Sequence, residues 1–452
     1  MMNEMIQTKY GALRGVKKDG YSLFAGVPYA KAPVGELRWK APEKPESWEG
    51  EREAVKFPHI AWQNPHTPPA PGMPGINYYQ EFYSNPEDIP ERDEDCLYLN
   101  IWAPDETVEK PEGGFPVAFW IHGGAFMGGY GSEKEFDGET YAKNGVILVT
   151  VNYRLGAFGF LYLPELAQED ENGSSGNYGI LDQIAALRWV KENIASFGGN
   201  PEKVTIMGQS AGAMSVQTIV CSPLSEGLLT GAVMQSGGGL HNHIFDGLSI
   251  EEAAEAGKRF MEIAGAESLA DLRKIPAEEL VAVNGKLTRE WMMAGKGFPF
   301  SPVIDGYLLK KGYDETIAAG EIPDIHYLLG SCGDDIWCRP EETAAGIYSS
   351  LYYGCINWSL AEQLHGRAPA YVYYFDRKLP GSGDGAFHSA ELWYTFHTLS
   401  RCWRPMEEHD YALADAMSGY WTNFVKTGDP NGEGLPQWKP CGAEDHHVQI
   451  LK

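Results

Sequence analysis

The sequence contains no long hydrophobic run and no compositionally biased segment. No stretch approaches about 18 consecutive apolar residues, so a transmembrane helix is excluded. The first residues, MMNEMIQTKYG, lack the basic segment and apolar stretch of a signal peptide, and we expect no leader. No low-complexity tract, fixed-period repeat or Gly/Ser linker divides the chain. We therefore expect residues 1–452 to form a single large domain with long surface insertions.

Basic residues are scarce beside acidic ones. The chain has 36 Lys and Arg against 62 Asp and Glu, which gives a net charge of −26. A protein this acidic repels nucleic-acid phosphates and anionic lipid surfaces. We therefore expect neither nucleic acid nor membrane as a partner, and a monomer or small homo-oligomer that acts on a small molecule.

Cysteines are also few, and their spacing is wide. There are seven, an odd number. Cys332 and Cys338 lie close together, but no second pair or His cluster completes a zinc site. We predict reduced thiols, no metal and a cytoplasmic protein, with secretion requiring a leader removed beforehand.

Short apolar runs alternate with helical patterns along the chain. This alternation predicts an α/β fold with a mixed, mostly parallel central sheet and helices on both faces. Residues 61–93, rich in Pro, Asn and aromatics, are expected to be irregular and functional. Predicted strands lie at 115–122, 146–153, 203–208, 231–237, 325–331 and 370–376, and clear helices at 182–197 and 410–428.

The segment Gly-Gln-Ser-Ala-Gly, residues 208–212, joins the predicted strand 203–208 to a run of helix-compatible residues. G-x-S-x-G between a buried strand and a helix is typical of a nucleophile elbow, in which a strained turn exposes the serine hydroxyl. Gly208 and Gly212 let strand and helix approach closely. We predict that Ser210 is a nucleophile, and a buried serine in a tight turn is the alternative.

An elbow serine needs donors for the oxyanion that forms when it attacks. The glycine-rich stretch IHGGAFMGG, residues 121–129, follows a predicted strand. We assign the backbone N–H groups of Gly123 and Gly124, with that of Ala211, to an oxyanion hole. A purely structural turn is the alternative for this loop.

The serine also needs a base and an orienting carboxylate, expected in the order Ser, Asp or Glu, His. Asp334 and Asp335 follow the predicted strand 325–331. His388 lies in a Gly-rich loop beyond them, and loops at strand ends hold catalytic groups in such sheets. The residues alone favour His388 but leave five other histidines open: His365, His397, His409, His446 and His447.

The motifs resemble those of the type-B carboxylesterases, the family of the cholinesterases and bacterial p-nitrobenzyl esterases. The resemblance runs nearly end to end and is carried by FAGVPYAKAPVGELRWKAP (24–42), EDCLYLNIWAP (94–104), FGGNPEKVTIMGQSAG (197–212) and AFHSAEL (386–392). It implies an α/β-hydrolase fold with long loop and helical insertions that form a gorge. It also implies ester hydrolysis without a cofactor or metal, with Ser210 as nucleophile and His388 as base.

The sequence departs from the family pattern in three places. The triad acid is usually Glu, and here Asp335 stands at that position, with Asp334 as the alternative acid. Gln209 replaces a frequent Glu before the serine, which disfavours a strong preference for cationic substrates. Cys96 stands where secreted members form an early disulfide, but no cysteine precedes it, which agrees with a reducing compartment.

Several side chains are candidates for the walls of a substrate pocket. The stretch GKGFPFSPVIDG, residues 295–306, resembles the acyl-pocket segment of the cholinesterases. Ordinary packing is the alternative role for the aromatic candidates. The candidates are Phe126, Gln209, Phe298, Phe300 and Trp337.

Two other functions remain open at this stage. A Ser–acid–His triad does not fix the leaving group, so an amide, thioester or lactone is an alternative substrate. A non-catalytic binding or adhesion module is the alternative from another class, and the presence of Ser210, His388 and an acid disfavours it.

Overall fold

One twisted sheet organises the computed structural model, which describes residues 3–66, 76–242, 246–336 and 348–452. The strand order is β1-β2-β3-β5-β7-β6-β8-β9-β10-β11-β12, and β4 pairs with β2. Pairing is antiparallel from β1 to β7 along this order and parallel from β7 to β12. The sheet is therefore mixed, with a parallel half of the kind that needs helices on both faces.

The strands are short except at the centre of the sheet. They are β1 (Asn3–Gln7), β2 (Ala12–Lys17), β3 (Tyr21–Pro28), β4 (Glu51–Glu53), β5 (Tyr98–Pro104), β6 (Phe115–Ile121), β7 (Ile147–Val151), β8 (Gly199–Gln209), β9 (Gly231–Gln235), β10 (His326–Cys332), β11 (Tyr371–Phe375) and β12 (Gln449–Leu451).

Helices fill the connections between strands. The longest excursion separates β9 from β10, and its described residues form four helices. In the described part of the chain they are α1 (Ile76–Phe82), α2 (Glu139–Lys143), α3 (Gly156–Phe160), α4 (Pro164–Glu169), α5 (Tyr178–Asn193), α6 (Ala211–Val220), α7 (Ile250–Ala264), α8 (Leu269–Lys274), α9 (Ala277–Met293), α10 (Tyr313–Ala318), α11 (Ser350–Leu364), α12 (Leu392–Thr395) and α13 (Glu408–Thr427).

Alternate residues of the central strands enter two separate hydrophobic cores. Along β6, Phe119 and Ile121 join the core beneath α5 and α6, whereas Ala118 and Trp120 join the core beneath α13. All seven residues of this strand are buried. Burial on both faces explains why these strands read as continuous apolar runs rather than alternating ones.

The sequence-based prediction of a mostly parallel sheet covered on both faces is confirmed. Five of the six predicted strands start within two residues of the predicted position. The exception is β8, which begins at Gly199. The helix predicted at 410–428 spans Glu408–Thr427 and ends at Gly428 with a φ of 78°. The segment 61–93 differs, because it contains α1. The periodicity of α1 spans seven residues, too few to stand out among the surrounding loop residues.

None of the helices that the structure describes is both long and apolar enough to span a bilayer. The same part of the chain holds no cluster of three or more His, Cys, Asp or Glu side chains that could ligate a metal ion.

A buried pair of carboxyl groups lies behind α1. Glu133 and Glu135 are 6% and 2% exposed and hydrogen-bond to each other. Burial raises the pKa of Glu135 to about 7 and that of Glu133 well above its ordinary value. The Tyr83 hydroxyl donates to Glu133 Oε1 at 2.9 Å. The pair therefore holds a proton at mildly acidic pH, since two ionised carboxylates in contact repel each other.

We predict that Glu135→Gln stabilises the protein above pH 7. The raised pKa of Glu135 means that its contribution to the free energy of unfolding is fully present below pH 4.5 and is lost as the pH rises to about 7. Removing the ionisable group should restore about 1–3 kcal/mol at pH 8. Urea unfolding at pH 8 and pH 4.5 measures this difference.

The matched control is Glu112→Gln, because Glu112 is exposed. Its stability should equal that of the parent at both pH values. A Glu135→Gln variant no more stable than the parent at pH 8 would contradict the buried proton.

Candidate active site

The candidate residues come from loops at the carboxyl ends of neighbouring parallel strands. The loop 122–129 follows β6, Ser210 follows β8, Asp335 follows β10 and the loop carrying His388 follows β11. Because β6, β8, β9, β10 and β11 are parallel neighbours, these loops share one edge of the sheet. That edge is where open α/β sheets bind their ligands.

Ser210 occupies a strained turn between β8 and α6. Its φ of 56° and ψ of −127° lie outside the regions that L-residues favour. A Cβ on Gly212 would lie 2.1 Å from Ile121 O, and one on Gly208 would lie 2.4 Å from the carbonyl carbon of Gly212. Helix α6 can approach β6 and β8 this closely only if both positions are glycine. The predicted elbow is therefore present as backbone geometry.

The glycine-rich loop after β6 lies directly beside this elbow. A Cβ on Gly123 would lie 3.0 Å from Ser210 Cβ. Gly124 and Ala125 both have positive φ, 105° and 55°. Within the described residues, no hydrogen bond uses the N–H of Gly123, Gly124, Ala125 or Ala211. Four unengaged backbone donors thus lie in the elbow and in the loop beside it.

Ala125 was not among the donors predicted from the sequence. It is a non-glycine residue in the left-handed region, which is uncommon and marks a backbone held by its surroundings. The small residue directly after the glycine pair was the signal that could have identified it.

Gln63 fixes the far end of the same loop. Its amide accepts from Gly129 N–H at 2.9 Å and donates to Gly129 O at 3.0 Å. His66 lies 3.1 Å from the Gln63 oxygen and stacks on Tyr83 at 3.8 Å between ring centroids. Burial lowers the pKa of His66 to about 4, so its ring is neutral at physiological pH. The segment 61–66 therefore braces the loop.

His388 and Asp335 are hydrogen-bonded to each other at this edge. His388 Nδ1 lies 2.5 Å from Asp335 Oδ1. Asp335 also accepts from the backbone N–H groups of Cys332 and Ile336, each at 2.8 Å. Its side chain is fully buried, whereas that of His388 is 15% exposed. The carboxylate is thus held rigidly beneath an imidazole that faces the site.

Asp334 points away from His388 and anchors the loop that carries it. Its Oδ2 accepts from Lys378 Nζ at 2.7 Å and from Ala386 N–H at 2.8 Å. Its own N–H donates to Ala386 O at 2.9 Å. Of the two neighbouring aspartates, Asp335 contacts the imidazole and Asp334 holds the backbone two residues before it.

The surroundings of His388 favour its protonated form. Burial acts to lower the pKa of His388, but the charge and hydrogen bond of Asp335, with a smaller effect of Glu391, raise it above its ordinary value of 6.5. Glu391 is itself buried, and burial raises its pKa. Its carboxyl accepts from Cys332 Sγ at 2.9 Å and from Gln235 Nε2 at 3.4 Å.

The other nitrogen of His388 faces Gln209. The two Nε2 atoms are 3.2 Å apart, and Gln209 is 3% exposed. Among the hydrogen bonds of the described residues, none joins Ser210 Oγ to His388. The structure therefore places the Gln209 amide against the His388 ring, and the role of Gln209 toward substrate stays a prediction.

The aromatic pocket candidates have different surroundings. Phe126 is 1% exposed and packs on Phe160 at 5.0 Å between ring centroids. Phe300 is equally buried, in an edge-to-face contact with Phe260. Phe298 is partly exposed. Their role toward substrate stays a prediction, and Trp337 lies outside the described residues.

We predict that Asp335→Asn lowers kcat by roughly 10³–10⁴-fold, because an amide facing Nδ1 stabilises the wrong tautomer of the base. Asp334→Asn is the matched control, since it removes the ion pair with Lys378 but leaves the contact to His388 intact. Its kcat should fall less than about 10-fold. Steady-state kinetics on a p-nitrophenyl ester measures both, and the reverse ranking would exclude Asp335 as the acid.

Several known proteins similar to this chain are named esterases. A model described as the carboxylesterase family matches residues 2–345 and 338–452. The para-nitrobenzyl esterase of Bacillus subtilis is 32% identical over 100% of this chain and 95% of its own length. The fumonisin B1 esterase of Sphingopyxis macrogoltabida is 32% identical over 95% and 83%. Human cocaine esterase is 30% identical over 97% and 86%.

Solved structures agree over the whole fold. A thermophilic para-nitrobenzyl esterase superposes with a TM-score of 0.85 at 31% identity, covering 100% of this chain and 96% of the other. A carboxylesterase of Geobacillus stearothermophilus gives a TM-score of 0.80 at 33% identity, covering 99% and 96%. The predicted α/β-hydrolase fold is confirmed by these neighbours. The chain belongs to the carboxylesterase family and is a carboxylic-ester hydrolase.

Proposed function

We propose that this esterase works through a triad of Ser210, His388 and Asp335. The observation that carries the proposal is the 2.5 Å contact between His388 and Asp335 at the sheet edge that also bears the strained turn at Ser210. A buried carboxylate beneath an imidazole, next to an elbow serine, is the arrangement that activates a hydroxyl for acyl transfer.

Acylation begins when His388 Nε2 takes the proton of Ser210 Oγ as that oxygen attacks the ester carbonyl carbon. Asp335 keeps the proton of Nδ1 in place and stabilises the imidazolium that forms. The tetrahedral intermediate collapses, and the C–O bond to the alcohol breaks. The alcohol leaves with the proton held on Nε2, and an acyl-enzyme remains.

The oxyanion of the intermediate is stabilised by backbone donors. We assign Gly123, Gly124 and Ala211, together with Ala125, to this task, because their N–H groups have no partner among the described residues and lie in the elbow or in the loop beside it. The N-terminus of α6 adds favourable dipole density at the same point. Each such donor contributes about 3–4 kcal/mol to transition-state stabilisation in comparable sites.

Deacylation repeats the same steps with water as nucleophile. His388 removes a proton from the water, which attacks the acyl carbon, and Ser210 leaves with that proton. His388 must be neutral in both halves of the reaction. Because its pKa is raised, activity should fall as the pH drops through a midpoint above 6.5.

We propose a small-molecule carboxylic ester as the substrate class. The similar enzymes are named for esters as different as para-nitrobenzyl compounds, fumonisin B1 and cocaine. Gln209 supplies no negative charge beside the base that would favour a cationic alcohol. The proposed partner is therefore a small-molecule ester. Hydrolysis of any such ester would need the same triad.

We also propose that the protein works in the cytoplasm of a bacterial cell. The six cysteines within the described residues are all free thiols. The bacterial para-nitrobenzyl esterase is matched over more of its length than human cocaine esterase.

Thiol titration of denatured protein isolated without reductant should detect all seven cysteines, and a lower count would contradict the reducing compartment.

We predict that Ser210→Ala and His388→Ala each lose about 10³-fold or more of kcat on p-nitrophenyl esters from acetate to laurate. His397→Ala is the matched control, because His397 pairs with Asp415 away from Ser210 and should leave kcat unchanged. Hydrolysis rates across the series also define the preferred acyl length. Wild-type turnover that survives in Ser210→Ala would contradict the proposed nucleophile.

A further inference from the structure

Gln209 makes a contact that the mechanism above does not use. It ends β8, directly before Ser210, and its buried amide nitrogen lies 3.2 Å from His388 Nε2. That nitrogen of the imidazole is the atom that must accept the serine proton. In the resting structure, then, the proton-accepting position is already occupied by a neighbour of the nucleophile.

The tautomer of His388 determines the direction of this hydrogen bond. Asp335 accepts from the backbone N–H groups of Cys332 and Ile336, and an ionised carboxylate can only accept, so the proton of a neutral His388 resides on Nδ1. Nε2 then carries a lone pair. An amide can bond to that lone pair only through its NH₂ group, which is the group that faces it.

We propose that Gln209 is a third partner of the catalytic base, which donates to His388 Nε2 in the resting enzyme and gives up that position to Ser210 when substrate binds. This inference rests on the proposed triad and deepens it. A donor at Nε2 stabilises the neutral imidazole and has no favourable interaction with the same nitrogen once it is protonated. Gln209 thus keeps the base ready to accept a proton.

The charges around His388 make such a donor useful. Asp335 lies at Nδ1 and Glu391 lies close by on the element that follows the His388 loop, and both favour the imidazolium. Burial of the ring acts in the opposite direction and lowers the pKa, but the two acids outweigh it. Gln209 opposes the two acids from the remaining side of the ring. A carboxylate at position 209 would instead add a third acid and could only accept from a protonated Nε2.

The test compares the acidic limb of kcat/KM against pH for three enzymes on p-nitrophenyl acetate. Gln209→Met keeps the length of the side chain but removes the donor, so the midpoint of the limb should rise by about half a unit to one unit. Gln209→Glu should raise it further, because a negative charge favours the imidazolium. The expected order of midpoints is therefore wild type, then Met, then Glu.

A buried glutamine elsewhere provides the structural control. Gln183 is fully buried and donates to Ser215 Oγ between α5 and α6, away from His388. Gln183→Met loses a comparable hydrogen bond and should leave the midpoint unchanged. The proposed role of Gln209 would be overturned if wild type and Gln209→Met had the same acidic midpoint of kcat/KM. It would also be overturned if Gln183→Met shifted that midpoint as much as Gln209→Met does.

A second readout separates competition for the base from simple damage. At pH values above the acidic limb, His388 is neutral in every variant. In Gln209→Met, Ser210 then no longer competes with an amide for His388 Nε2. Sulfonylation by phenylmethylsulfonyl fluoride should then be at least as fast as in wild type, and a loss of about 10-fold or more would contradict the inference.

If Gln209→Met does not fold, the test uses the near-isosteric Gln209→Glu variant instead. An acidic midpoint of its kcat/KM profile equal to that of wild type would overturn the inference. Failure of the triad itself is distinguishable, because it would leave the wild type inactive or Ser210→Ala active, whereas failure of this inference leaves an active enzyme with unshifted limbs.

Discussion

The close approach of β8 and α6 at Ser210 is the constraint on which the rest of the site depends. Gly208 lets β8 come close to α6, Gly212 lets α6 come close to β6, and the serine between the two glycines takes a strained conformation with a φ of 56°. Strain of this kind persists only where the surrounding structure over-determines it. Here the parallel strands on both sides, β6 and β9, supply that support. The loops that follow β6 and β11, namely 122–129 and the His388 loop, lie at the same edge because these strands are parallel.

Buried acids set the electrostatics behind this edge. Asp335 and Glu391 both favour the protonated form of His388, and Glu133 and Glu135 add a second buried carboxyl pair behind α1. Three of these acids have specific donors: backbone N–H groups for Asp335, a thiol and an amide for Glu391, and a tyrosine hydroxyl for Glu133. The neutral Gln209 is the side chain that acts against this bias at the imidazole.

Patterns local in sequence predicted the strands, the elbow and the loop beside it, because each depends on residues adjacent along the chain. What the sequence left open depends on side-chain direction. Asp334 and Asp335 are neighbours with the same chemistry, and their roles differ only because their side chains point in different directions. Asp334 binds Lys378 and anchors the loop, whereas Asp335 binds His388. Gln209 and His388 are 179 positions apart, so no local pattern reports their contact. The bracing role of Gln63 could not be predicted from the sequence either, because it depends on contact with the distant Gly129.

Trapping the acyl-enzyme tests the central claim most directly. Protein mixed with excess p-nitrophenyl acetate and quenched in acid, where deacylation stops, would be digested and sequenced by mass spectrometry. The account predicts one acetyl group, on Ser210 in the peptide that contains Gly-Gln-Ser-Ala-Gly. An acetyl group on a different residue, or hydrolysis without any trapped acyl group, would contradict it.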